Sequence, residues 1–452
     1  MRFLGREQQR IKTIAKTRVF LRRAGVAVVA LSVVIPGLVM ARTLVRDGKS
    51  TAIERLETIQ EGLRRAHTAK DSAVYLRDAV TLRDFLNGSP KSILQLMLAQ
   101  LLAGKDDEAL QSFGQFIRMG QSNEELLESK PFDALRALPQ YSALRTEMTV
   151  NDESRSTATK MFALNDAGFL PEDIDFDAAS GLFYITSVLK MEIVAADRTG
   201  STHVFAQGPD KWPMMAVKVD AKRRLLWATE VALDGFSWSP KEDWGRSAIL
   251  LYDLKTGKLL WRVEGPVHAA LGDMALTSAG DAIVSDGDRG GVYRVRYETR
   301  QIERLDAGDF ISPQTPAVLP DDEQALIPDY VRGIGILNLR TKKVSWIPME
   351  GRYALSGIDG LYLSGRTLIA TQNGTLPERV IRFQLDRSLS RIESETIIER
   401  ATPTLGDPTH GVEVNQHFYY IANSGWDKVD EHGDPKAGTT MTEALIMQTA
   451  IQ

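Results

Sequence analysis

Hydrophobic patterning changes character three times along the chain. Residues 1–23 are polar and basic, and an apolar run without a single charge follows from Ala24 to Ala41, AGVAVVALSVVIPGLVMA. Beyond it, Ile53, Leu56, Ile59 and Leu63 recur at three- and four-residue steps, the spacing of one helix face, so residues 42–150 read as a helical region. From residue 158 the runs become short, β-branched and aromatic, separated by Gly and Asp turns, which predicts strands to the end of the chain. The polar stretch Val150–Thr157 (VNDESRST) predicts the linker between the two parts.

The apolar run 24–41 is near the lower length limit for a membrane-spanning helix, and Pro36 within it is tolerated in such helices. Its leading flank carries eight Lys and Arg against one acid, Glu7, which favours a cytoplasmic tail and export of the residues after the run. The expectation is a signal anchor that tethers an exported body to the membrane, on the periplasmic or extracytoplasmic side. Cleavage after Val39-Met40-Ala41 is the alternative, and would release a secreted body.

Within the helical region, SILQLMLAQLLAGKDDEALQSFGQFIRMG predicts two helices about the turn at Gly104-Lys105-Asp106-Asp107. Ala109 and Phe113 take the small and aromatic positions of the second helix, and the segment resembles a single tetratricopeptide unit. One unit cannot bury its faces by stacking, so the region predicts a stalk or cap, or a groove for a protein partner.

Six sequence units emerge when the β-rich part is aligned by its turns. They open with PEDIDFDAASGLFYITS at Pro171, PMMAVKVDAKRRLLWATE at Pro213, LGDMALTSAGDAIVSD at Leu271, PQTPAVLPDDEQALIPD at Pro313, GIDGLYLSGRTLIATQN at Gly357 and PTHGVEVNQHFYYIANS at Pro408. The first five are each followed by a hairpin such as LYDLKTGKLLW. Four strands repeating about every 45 residues is the pattern of a propeller blade, so the fold class is mainly β, a six-bladed propeller over 157–452. The sixth unit ends on one strand, ALIMQTAIQ, and TATKMFAL (157–164) can supply the strand it lacks. Pairing the two would close the ring.

Composition narrows the chemistry. The 452 residues contain no Cys, which removes thiol nucleophiles, thiolate metal sites and disulfides. A net charge of -4 gives no reason to propose nucleic acid as a partner. With so basic a tail, the rest of the chain is more acidic than this average.

In a propeller the first strands line a central channel. Equivalent positions there are Glu172, Met215, Gly272, Thr315, Asp359 and His410, followed by Asp173, Ala216, Asp273, Pro316, Gly360 and Gly411. Acids converging on one channel from separate blades call for a cation, and oxygen ligands suit Ca²⁺. The bland readings are strand-end capping for Asp173 and Asp273, a solvated pair for Glu172 and Asp359, and a hydrogen-bonded channel residue for His410. The polar second-strand ends Glu230, Asp286, Asp329, Asn373 and Asn423 fit turn chemistry. Trp212, Trp238 and Trp244 either roof a ligand pocket or pack between blades.

Pro-Glu-Asp-Ile-Asp-Phe at blade one, with the six-unit pattern, resembles the gluconolactonase, paraoxonase and strictosidine-synthase-like propellers. The resemblance implies two calcium sites. A structural ion would take Asp173, Asp273 and the carbonyl of Val217, and a catalytic ion Glu172 and Asp359. Gly272 and Thr315 stand where that family has asparagines, and Met215 where paraoxonases have a histidine. The implied activity is hydrolysis of lactones or related esters, with Ca²⁺ polarising the carbonyl of a small molecule in the channel and His410 as base. The alternative is a non-catalytic ligand-binding or protein-interaction scaffold that keeps a structural calcium. Quinone chemistry has little support, since the units lack the tryptophan-docking pattern of eight-bladed quinoproteins.

Overall fold

The computed structural model describes residues 50–451. The basic tail 1–23, the apolar run 24–41 and the expected cleavage site lie outside the described residues. Among the described residues no helix is long and apolar enough to cross a membrane.

Six antiparallel sheets make the ring. Blade one is β3 (Pro171–Asp177) to β6 (Thr202–Gln207), and blade two is β7 (Met214–Asp220) to β10 (Leu259–Glu264). Blade three is β11 (Leu271–Leu276) to β14 (Ile302–Arg304), and blade four is β15 (Ala317–Val318) to β18 (Val344–Trp346). Blade five is β19 (Gly360–Ser364) to β22 (Ile392–Arg400), and blade six holds β23 (Gly411–Val414), β24 (His417–Ile421) and β25 (Leu445–Ala450). A separate apolar cluster fills each junction between neighbouring blades, as with Tyr184 and Ile193 against Met214 and Val217 between blades one and two.

Ring closure follows the sequence expectation. Strand β2 (Thr159–Ala163) is the outer strand of blade six and pairs with β25, Thr159 opposite Gln448 and Ala163 opposite Leu445. This pairing joins the start of the propeller to its end, so the ring is held shut without a disulfide. The stretch expected as a linker is instead partly structured. Val150–Asp152 forms a 3₁₀ turn, and β1 (Arg155–Ser156) adds a fifth strand to blade five by pairing with β22.

The helical region comprises α1 (Ala52–Thr68), α2 (Ser72–Phe85), α3 (Pro90–Leu102), α4 (Asp106–Arg118) and the shorter α5 (Glu124–Leu127), α6 (Asp133–Arg136) and α7 (Tyr141–Thr149). Thr51 and Glu54 form a capping box at the start of α1. Gly104, at φ +69°, ends α3 and turns the chain into α4.

These helices share one core with the ring. Ile93, Met97 and Phe113 lie in the same buried cluster as Leu355 and Ile358 before blade five and Phe383 within it. Backbone bonds seal the joint, Ala52 N–H to the Gly308 carbonyl (2.7 Å) and Ser122 N–H to the Leu376 carbonyl (2.7 Å). Arg379, fully buried on β21 (Arg379–Leu385), donates to Gln372 Oε1 (2.6 Å) and to the Met119 carbonyl (3.4 Å). The helices therefore form a cap fused to blades three to five. A free-standing stalk does not describe them, because their apolar faces are buried against the ring.

The cap sits on the face where each first strand begins. Gly308 belongs to a connection between blades, and Leu376 to a loop between second and third strands; both kinds of segment lie at that end of the ring.

Candidate functional site

A repeated device sets the direction of the first-strand side chains. The N–H of Asp173 donates to Thr186 Oγ1 (2.9 Å), whose hydroxyl donates to the Met215 carbonyl of the next blade (2.6 Å). Thr229 repeats this between Ala216 N–H (2.9 Å) and the Gly272 carbonyl (3.2 Å), and Thr371 between Gly360 N–H (2.8 Å) and the Thr409 carbonyl. In blades one and two, where the N–H bonds a threonine, the ladder slips between Pro171 and Ile174 and between Met214 and Val217, and blade three has a slip between Leu271 and Asp273. Such bulges re-aim side chains, and here they turn Glu172, Asp173 and Asp273 inward.

The structure brings the three expected catalytic residues together. One ligand-capable atom each of Glu172, Asp359 and His410 lies within 4.8 Å of the others, and these residues are only 1–2% exposed. His410 Nδ1 donates to the backbone carbonyl of Glu172 (2.6 Å), and Nε2 to Asp273 Oδ1 (2.9 Å). Both ring nitrogens are therefore engaged, and an ionised Asp273 would leave both of them protonated. Burial alone would push its pKa down, but the charge of Asp173, the bond to Asp273 and the charges of Asp359 and Asp273 raise it to about 10.

Each carboxylate has its own partner. Glu172 Oε2 accepts the indole N–H of Trp426, and Asp359 Oδ2 accepts the Asn373 amide (2.9 Å). Asn373 in turn accepts from Tyr330 (3.0 Å). Asp173 Oδ2 accepts Lys218 Nζ (2.5 Å) and Val217 N–H (2.8 Å), while its Oδ1 accepts Ile174 N–H (2.8 Å). Two residues further along β3, Asp175 accepts Val219 N–H (2.7 Å), and burial raises its carboxyl to about 6. The phenol of Tyr362, which accepts Gly411 N–H (2.7 Å), is pushed well up by burial and by the charge of Asp173.

An aromatic roof closes the channel mouth over these groups. The loop between the second and third strands of blade two (residues 232–246) and the loop before β25 in blade six (residues 422–444) meet there, with Trp238 donating to the Gly433 carbonyl (3.1 Å) and Ser237 N–H to the His432 carbonyl (2.9 Å). Phe236, Trp426, Met215, Leu170 and Ala270 fill the space beneath. Of the tryptophans expected to roof the site, Trp238 does so. Trp244 braces the blade-two loop by donating to the Phe236 carbonyl (3.1 Å), and Trp212 packs between blades one and two.

The second-strand ends serve turns. Asp286 and Asp329 accept loop amides such as Ala270 N–H (3.2 Å) and Ile311 N–H (2.6 Å), and Asn423 accepts Leu445 N–H (2.6 Å). Glu230 is buried 3.7 Å from Arg262, and its carboxyl is pushed up to about 9 by burial and by Asp210.

Calcium takes about six to eight oxygen ligands. At the expected structural site Val217 donates its N–H to Asp173 Oδ2 (2.8 Å). An ammonium already contacts Asp173, and Asp273 Oδ1 is taken by His410. At the expected catalytic site both ring nitrogens of His410 are engaged, by the Glu172 carbonyl and by Asp273. At the structural site Asp173 is already paired with an ammonium, whereas the grouping of Glu172, Asp359 and His410 leaves a metal site possible. Lys218 pairs with Asp173 and His410 with Asp273, while Glu172 and Asp359 accept from the neutral Trp426 and Asn373.

Sequence reasoning missed Lys218 and Trp426. Lys218 was legible in VKVD, since a lysine on a first strand must place its charge in or beside the channel. Trp426 lies in an irregular loop, where no periodicity aims it.

No family model matches the chain, and no curated protein does. Among solved structures it is similar to a gluconolactonase from Xanthomonas campestris, at 14% identity and TM-score 0.45, over 64% of this chain and 88% of that one. It is also similar to the calcium-binding protein regucalcin from Agrobacterium tumefaciens, at 16% and 0.42, over 65% and 94%. Virginiamycin B lyase from Staphylococcus aureus matches at 13% and 0.42, over 66% and 100%. What the chain's own six sheets define is a six-bladed propeller with a helical cap.

Proposed function

We propose that this chain is an exported, membrane-tethered scaffold, in which the propeller and its helical cap form one rigid body that presents a surface to a protein partner. The reading rests on His410, which bridges a backbone carbonyl and the Asp273 carboxylate with both ring nitrogens donating. A ring so held must release one of these bonds before it can serve as a general base or metal ligand, since either role needs a bare nitrogen. The fusion of cap and blades into one core supports a scaffold role, since it fixes the geometry of the composite surface.

A second reading, a lactonase-like hydrolase, is favoured by the convergence of Glu172, Asp359 and His410 within 4.8 Å. It requires that Trp426 leave Glu172 and that a substrate enter beneath the roof. The test is a screen of lactones and aryl esters with the full-length protein in detergent, with calcium and with chelator. The scaffold reading expects no turnover above the uncatalysed rate. Turnover that disappears in Glu172→Gln and Asp359→Asn would replace it with the hydrolase.

A further inference from the structure

The geometry points to Lys218 as a built-in counter-ion that takes the place of a structural metal beneath the channel mouth. Asp173 is 1% exposed, and a carboxylate so buried needs a neutralising partner. Lys218 Nζ lies 2.5 Å from its Oδ2, with the lysine side chain itself only 13% exposed. The same oxygen accepts Val217 N–H at 2.8 Å, and Oδ1 accepts Ile174 N–H at 2.8 Å, so both oxygens already have donors of the chain's own. The lysine extends from β7 of blade two and the aspartate from β3 of blade one. Their ion pair therefore clamps two neighbouring first strands, the service a bridging ion would give. Val219 N–H to Asp175 Oδ2 (2.7 Å) repeats the link two residues further along. Across the channel, Asp273 Oδ1 is bonded to His410 Nε2 at 2.9 Å and to Thr315 Oγ1 at 3.4 Å, while its Oδ2 is buried without a hydrogen-bond partner.

The inference is separate from the functional reading, since an inactive scaffold could still hold calcium. The test uses the full-length chain in detergent. Metal content is measured after purification, and thermal unfolding is followed with millimolar calcium and with chelator. The expected result is no stoichiometric calcium and the same Tm in both. Calcium bound at one ion per chain, or a Tm that rises with calcium, would overturn the inference. Lys218→Met, which keeps most of the stem but removes the charge, should lower Tm by roughly 5 °C or more, whereas Lys218→Arg should retain most of the stability. A Lys218→Met protein that melts like wild type would also overturn it. Should that variant fail to fold, Asp173→Asn with Lys218→Met removes both charges together and should recover folded protein. Failure of this pair would count against the inference.

Discussion

The imidazole of His410 in blade six bonds Asp273 in blade three, Nε2 to Oδ1 at 2.9 Å. Blades three and six stand opposite each other in a six-membered ring, so this bond crosses the channel at its axis. The other ring nitrogen reaches the carbonyl of Glu172 in blade one, and one side chain ties three blades together.

Stability should fall as pH rises through the alkaline range. The folded-state pKa of His410 is raised to about 10, above its ordinary 6.5, so folding retains a proton that the unfolded chain releases. The contribution is complete below pH 6.5, declines across the interval, and is lost above about 10. His410→Ala should cost about 3–5 kcal/mol near neutral pH by leaving Asp273 buried without its partner, and should flatten this part of the profile. Denaturant unfolding of both proteins at several pH values measures it.

Trp426 supplies the donor to Glu172 while packing against Trp238, with ring centroids 5.5 Å apart. Trp426→Phe keeps an aromatic ring and loses the N–H, at an expected cost of about 1–3 kcal/mol. A double-mutant cycle with Glu172→Gln should show coupling on the order of 1 kcal/mol, and strictly additive effects would sever the two residues.

Much of the fold was legible before the structure, and for a physical reason. Blade units carry alternating first and second strands with turn residues at fixed offsets, so PEDIDF and GIDGLY announce their positions. Closure was legible because blade six visibly lacked a strand. The cap's docking was not, since the side chain of Arg379 and the carbonyl of Met119 that help fix it meet across 260 positions of sequence. At the site, alignment picked out Glu172, Asp359 and His410, yet residue type alone suggested ligands. The partners Lys218, Asn373 and Trp426 decide how the channel acids are used, and only the bulged register shows which amide or ammonium faces each oxygen.

Gly120 tests the joint between cap and ring. It has φ +72°, and a Cβ there would lie 2.3 Å from Arg379 Nη1. A Cβ at Gly104, where φ is +69°, would meet nothing within 4 Å. Gly104→Ala should cost about 1–2 kcal/mol for backbone conformation alone, and Gly120→Ala measurably more. Limited proteolysis should then cut the helical region of the Gly120 variant first. Equal losses at both sites would remove Arg379 as the pin.

Phe162 tests closure of the ring. It is 3% exposed on β2, and its ring lies 5.6 Å from that of Phe183 in blade one. Phe162→Ala should cost about 3–5 kcal/mol, read from the denaturant midpoint. A change below about 1 kcal/mol would mean that the terminal strand contributes little to holding the ring shut.

The protonation of His410 is the most direct test, because the channel network depends on an imidazolium held between Glu172 and Asp273. Selective ¹⁵N-histidine labelling with NMR at mildly alkaline pH, assigned by comparison with His410→Gln, reports it. The expected spectrum has both ring nitrogens of His410 protonated, in the chemical-shift range of imidazolium. A neutral ring with one bare nitrogen would contradict that state and return His410 to the roles of base or ligand.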